Sequence, residues 1–153
     1  MKPRTVLLIL LSMLAMAALC FADNPMMGTW KLNEAKSKLP TAAKNNTVVY
    51  EAAGDNIKVT IDGVDAEGKA THNEWTGKFD GKDYPVTGDP NSDMRSYKKV
   101  NDSTLNFTIK KDGKPTMTGK IAVSPDGKSR TVTTWGKDAK GKKVTSVAVY
   151  DKM

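Results

Sequence analysis

The chain has 153 residues, 24 lysines and arginines against 17 acids, a formal net charge of +7, a single histidine and a single cysteine. That is the length of one domain, with 39% hydrophobic residues to build a sizeable core. One cysteine and one histidine exclude a disulfide scaffold and the usual zinc ligand set, and acids interleaved among the lysines argue against a continuous phosphate-binding stripe.

At the start, Lys2 and Arg4 precede an uncharged apolar run from Val6 to Leu19, and Cys20-Phe21-Ala22 puts a small residue at the cleavage position. This is the pattern of a secretory signal peptide over residues 1–22, and the run is short of the roughly 20 apolar residues a membrane-spanning helix needs. Lipidation at Cys20 is disfavoured because Leu19, not a small residue, precedes it. The expectation is an exported protein, periplasmic or secreted, with residues 23–153 forming one domain. Losing Lys2 and Arg4 lowers the formal charge from +7 to +5, and losing Cys20 leaves no thiol chemistry.

Gly28 to Asn33 reads as a first strand, and Asn33 to Lys44 as a short helical turn or loop limited by Pro40. Beyond residue 45 strand signals dominate. Ile57-Lys58-Val59-Thr60-Ile61-Asp62 and Leu105-Asn106-Phe107-Thr108-Ile109-Lys110 alternate apolar and polar residues, and Met117, Gly119, Ile121 and Val123 share one face of another segment. Such period-two patterns predict half-buried antiparallel strands. Ten are predicted, near 28–33, 45–53, 56–63, 69–79, 83–87, 93–100, 103–111, 114–124, 128–137 and 142–151.

Glycines punctuate them. "DGK" at 80–82, 112–114 and 126–128, "EGK" at 67–69 and "KGK" at 140–142 are turn chemistry. The resulting steps of about 14 residues leave strands of about nine or ten residues, which suits a meander in which each strand pairs with its sequence neighbour. An open ten-stranded sheet would expose two edges; an up-and-down barrel removes both. A β-solenoid would also explain regular glycines, but neighbouring segments share turn residues without sharing a repeated core pattern. The dense stretch "KFDGKDYPVTGDPNSD" at 78–93 reads as two hairpin corners around a short strand. Pro85 cannot donate to a ladder there.

Gly28-Thr29-Trp30-Lys31-Leu32 resembles the first strand of the calycins, the superfamily of lipocalins and fatty-acid-binding proteins. The closing Val144-Thr145-Ser146-Val147-Ala148-Val149-Tyr150-Asp151 is similar to the last strand of the intracellular fatty-acid-binding proteins. "DGKDYPVTG" also resembles small exported bacterial proteins described as lipocalin-like, whose activity is unassigned. The resemblance implies a closed barrel with Trp30 plugging one end and a ligand inside. The segment Asn33 to Lys44 is too short for that family's two-helix lid. Ala148 stands two residues before Tyr150, where the family places the arginine of its carboxylate anchor.

Several residues invite chemistry. Asp89-Pro90-Asn91-Ser92-Asp93 starts like a calcium loop but has Met94 and Val100 where glycine and glutamate belong. His72 has no evident nucleophile partner, and the carboxylates cluster in turns where aspartate has its own structural task. The reading is therefore of no catalytic residues, no metal and no cofactor. Arg95 and Tyr97 are two apart on a strand and share a face, so if that face is internal they could hold an anion. Trp75 and Trp135 either line a cavity or pack against neighbours. The candidate ligand-binding residues are Trp75, Arg95, Tyr97, Trp135 and Tyr150, with Trp30 closing the barrel. The expected function is a non-enzymatic, monomeric, exported protein that binds a small, partly apolar, lipid-like molecule in an all-β calycin-like barrel. The alternative is an envelope-associated interaction protein with a filled barrel and a lysine-rich surface. Neither reading involves nucleic acid or a transmembrane anchor in the mature chain.

Overall fold

The computed structural model describes residues 24–138 and 140–153. The proposed signal peptide, with Cys20 and the cut after Ala22, lies outside the described residues. Ten strands follow in order: β1 (Gly28–Lys38), β2 (Lys44–Ala53), β3 (Asn56–Val64), β4 (Ala70–Gly77), β5 (Tyr84–Thr87), β6 (Met94–Asn101), β7 (Thr104–Lys111), β8 (Lys114–Val123), β9 (Ser129–Lys137) and β10 (Lys143–Lys152). Each pairs antiparallel with its sequence neighbour, and β1 pairs with β10, so the sheet closes into a barrel. The predicted all-β meander is thus the observed one.

Local chemistry explains most turns. Between β7 and β8, Asp112 and Gly113 both take positive φ, 50° and 75°, as a two-residue hairpin loop matched to strand twist requires. In the β4–β5 corner, Asp80 accepts from the Lys82 amide at 3.0 Å and from the Tyr84 hydroxyl at 2.7 Å. These bonds, the amide's above all, hold the Asp80 carboxyl below the usual carboxylate range. Strand β5 meets its neighbours over only a few residues, and Val86, next to Pro85, donates its amide to the Asp93 carbonyl at 2.9 Å. Phe79 lies just past the end of β4 rather than on it, but its ring still packs into the core.

One expected element is different. Residues 33–38 are neither helical turn nor loop but the second half of β1, with the β1–β10 register shifting between Asn33 and Lys38. The irregularity persists because side chains satisfy the backbone that the ladder leaves out. Ser37 Oγ donates to the Asn33 carbonyl at 2.7 Å and accepts the Val149 amide at 2.9 Å. Asn33 Nδ2 donates to Asp151 at 2.7 Å.

Trp30 is fully buried at one end of the barrel and donates its indole N–H to the Met26 carbonyl at 2.9 Å. Met26, also buried, folds the preceding segment beneath it. This end is closed and is called the lower end. The opposite, upper rim carries the β3–β4, β7–β8 and β9–β10 turns.

Candidate functional site

Strand alternation determines which side chains enter the lumen, and burial separates them into two populations. In the lower half the space is filled. Tyr97 sits at the hub of an aromatic cluster: its ring centroid lies 4.8 Å from that of Trp75, 5.7 Å from Phe79, 6.0 Å from Phe107 and 6.3 Å from Tyr50. Trp75 adds a hydrogen bond from its indole N–H to the Arg95 carbonyl at 2.8 Å. On the other side Arg130 is buried with its guanidinium carbon 4.9 Å from the ring centroids of each of Trp30, Tyr50 and Tyr150. Burial pushes the Tyr50 and Tyr150 hydroxyls above the ordinary phenol range, so both rings stay neutral and present π faces to the cation.

In the upper half the inward side chains are smaller and only partly buried. Leu32, Asn73, Ile109, Val132 and Ser146 each sit two positions above a buried inward residue on the same strand, and Thr134 two above Val132, yet all retain exposed surface. Thr134 and Ser146 meet hydroxyl to hydroxyl across β9 and β10 at 2.5 Å. Inside a closed barrel, exposed inward surface means open lumen. A cleft of about 710 Å³ lies at this rim against β8, β9 and β10. Met117, Gly136 and Val144 line it from the inward face, Trp135 and Thr145 from the outward face, so it runs over the rim.

Arg95 marks the boundary between the halves. It points inward and is only 3% exposed. One guanidinium nitrogen, Nη1, lies 3.5 Å from the Tyr97 hydroxyl; Nη2 donates to Asn73 Oδ1 at 3.2 Å; Nε is buried without a partner. Among the described residues Arg95 forms no ion pair.

The candidate residues therefore divide. Arg95 and Tyr97 share the internal face. Trp75, Tyr97 and Tyr150 are packed into the filled half, where Tyr150 also donates to the Asn45 carbonyl at 3.1 Å. Trp135 does not enter the lumen: it pairs with Thr118 and Thr145 on the outer face and is 47% exposed. Its expected place in the cavity is corrected by simple parity, since Arg130, Val132 and Thr134 take the inward positions of β9. Sequence reasoning passed over Asn73, although its two-residue spacing from Trp75 places both on one face. It also gave Arg130 no role, because the three rings that enclose it come from β1, β2 and β10.

The other candidates are structural. Asp89 Oδ1 accepts the Asn91 amide at 2.8 Å and Oδ2 the Ser92 hydroxyl at 2.6 Å, so the aspartate that opens the calcium-loop-like stretch has both oxygens committed to the turn. His72 lies on the outer face, bonded through Nδ1 to Asp62 and 3.7 Å from Glu74. The bond to Asp62, foremost, raises its pKa above the ordinary imidazole value.

No protein-family model and no curated protein matches the sequence. Among solved structures it is similar to a redesigned β-barrel, mFAP1, bound to DFHBI, at 14% identity over 86% of this chain and 98% of that chain, with a TM-score of 0.45. EF1p2_mFAP2b bound to DFHBI matches at 10% identity over 84% of this chain and 94% of that chain, with a TM-score of 0.46. Likeness at this level assigns no family. The closed ten-stranded barrel itself is compatible with the calycin-like fold.

Proposed function

We propose that the protein is an exported, non-enzymatic, monomeric binding protein that holds one small, partly apolar molecule in the upper half of its barrel. The observation that carries this reading is the split lumen: a tightly filled floor beneath inward side chains that keep exposed surface. Leu32, Ile109 and Val132 supply apolar wall, while Asn73, Thr134 and Ser146 supply polar groups to orient a guest. A mostly apolar concavity with a few placed polar groups is how small-molecule sites are built. Fluorescence titration of the purified protein with 1-aminoanthracene, an uncharged apolar probe, tests it. Saturable binding near one probe per chain is expected; no binding of this or any other small amphiphile would overturn it.

A second reading is favoured by the exposed Trp135, which lies two residues from Lys137 on the outer face, next to the cross-strand pair Lys137 and Lys143. In it the outer face docks on an anionic polymer or protein of the envelope. Retention on envelope fractions that is lost in Trp135→Ala and weakened by salt would support this reading over the first.

A further inference from the structure

We propose that Arg95 anchors a single oxyanion group, a carboxylate or a phosphate ester, on the molecule that occupies the lumen. The inference deepens the small-molecule reading and depends on it.

A guanidinium removed from water is strongly disfavoured unless an opposite charge or a full set of acceptors replaces the lost hydration. The barrel contains two such groups, and they differ. Arg130, 2% exposed, also has unpartnered nitrogens, Nε and Nη1, but it lies in the closed floor, where three neutral ring faces enclose its charge and no cleft reaches it. Arg95, 3% exposed, has two neutral oxygen partners, one of them at the long distance of 3.5 Å, and a buried Nε with none. The missing acceptor would have to come from outside the chain.

The register shows where it would sit. Arg95 pairs with Ile109, Ile109 with Met117, Met117 with Gly136, and Gly136 with Val144. These five residues form one inward cross-strand row, which ends in the lining of the rim cleft. Gly136 contributes no side chain to that row. A ligand lying along it would set its apolar body against Ile109, Met117 and Val144 and its charged end against Arg95. Two further donors are at hand. Asn73, whose Oδ1 already accepts from Arg95, keeps its Nδ2 protons, and the Tyr97 hydroxyl, accepting from Nη1, keeps its own. A fork of N–H groups with adjacent donors suits the planar oxygens of a carboxylate or phosphate.

Dansylaminoundecanoic acid and its methyl ester, titrated near neutral pH into the wild-type protein and Arg95→Met, test the proposal. The wild type should bind the acid at least about tenfold more tightly than the ester, the lower range for charge-assisted hydrogen bonds. Arg95→Met should abolish that preference and leave ester affinity within about twofold. Competition by dodecanoate and by dodecyl phosphate then identifies the favoured oxyanion. Equal affinities of the wild type for acid and ester, or a preference surviving in Arg95→Met, would overturn the proposal while leaving the small-molecule reading intact. Binding of neither probe would overturn the anchor, and would overturn the small-molecule reading too only if 1-aminoanthracene also fails to bind. Should Arg95→Met fail to fold, the acid-to-ester ratio of the wild type decides, together with the Arg95 Nε–H resonance. That resonance should move on adding the acid and not the ester; an unmoved resonance counts against the anchor.

Discussion

The two halves of the barrel are built from the same ten strands but solve different problems. Below Arg95, aromatic rings from β2, β4, β6 and β7 and the loop residue Phe79 interlock, and Gly77 and Gly119 leave room for them. A Cβ on Gly77 would fall 2.5 Å from the Tyr84 ring and 2.7 Å from that of Trp75. Above Arg95 the inward positions go to Thr, Ser, Asn, Gly and medium aliphatic residues that keep exposed surface. Closure of the sheet keeps the upper half standing, because every strand is hydrogen-bonded on both sides whether or not its interior is filled. Stability can therefore be concentrated in one half and binding space left in the other.

The largest test of this contrast is Trp75→Ala, which removes a fully buried ring with three aromatic neighbours and a hydrogen bond. Urea unfolding should show a loss of roughly 3–5 kcal/mol, as for other buried aromatics. A loss below about 1 kcal/mol, the scale of ordinary surface substitutions or little more, would mean that the floor is not the packed half. In the open half Ser146→Phe should behave oppositely: the added ring enters unfilled space, so stability should shift by less than about 1.5 kcal/mol, below the usual penalty for overpacking a dense core. 1-Aminoanthracene binding should fall at least tenfold; retained binding would move the site out of the lumen. The smallest effect concerns the outer face. His72 is the only imidazole in the chain, so its titration can be followed by NMR without overlap. Its midpoint should lie above the ordinary value of about 6.5, and Asp62→Asn should bring it back toward that value. Because the folded pKa is raised, the stabilisation from this pair is fully present below about pH 6.5 and is lost as pH rises through the folded pKa. Lumen binding should be indifferent to it.

Much of the fold was legible from local chemistry. Alternation in β3 and β7 and the Asp-Gly turns mark strands and corners because both depend on residues adjacent in sequence. The segment Asn33–Lys38 was misread because nothing nearby signals a strand; its pairing partner, β10, lies over a hundred residues away. The site was only half legible. Parity places Arg95 with Tyr97, and Asn73 with Trp75, but parity leaves open which face is inside. Trp135 shows the cost of that ambiguity, since its strand carries Arg130, Val132 and Thr134 on the face that turned inward.

The sequence by itself determined the succession of strands and turns, because period-two patterning and left-handed turn residues act over a few bonds. Only the tertiary structure decided that β1 reaches β10, that the rings collect at one end, and that Arg95 is enclosed without an acid beside it. Those outcomes depend on which side chains from distant strands compete for the same volume, and the distances between them exist only once the sheet has closed.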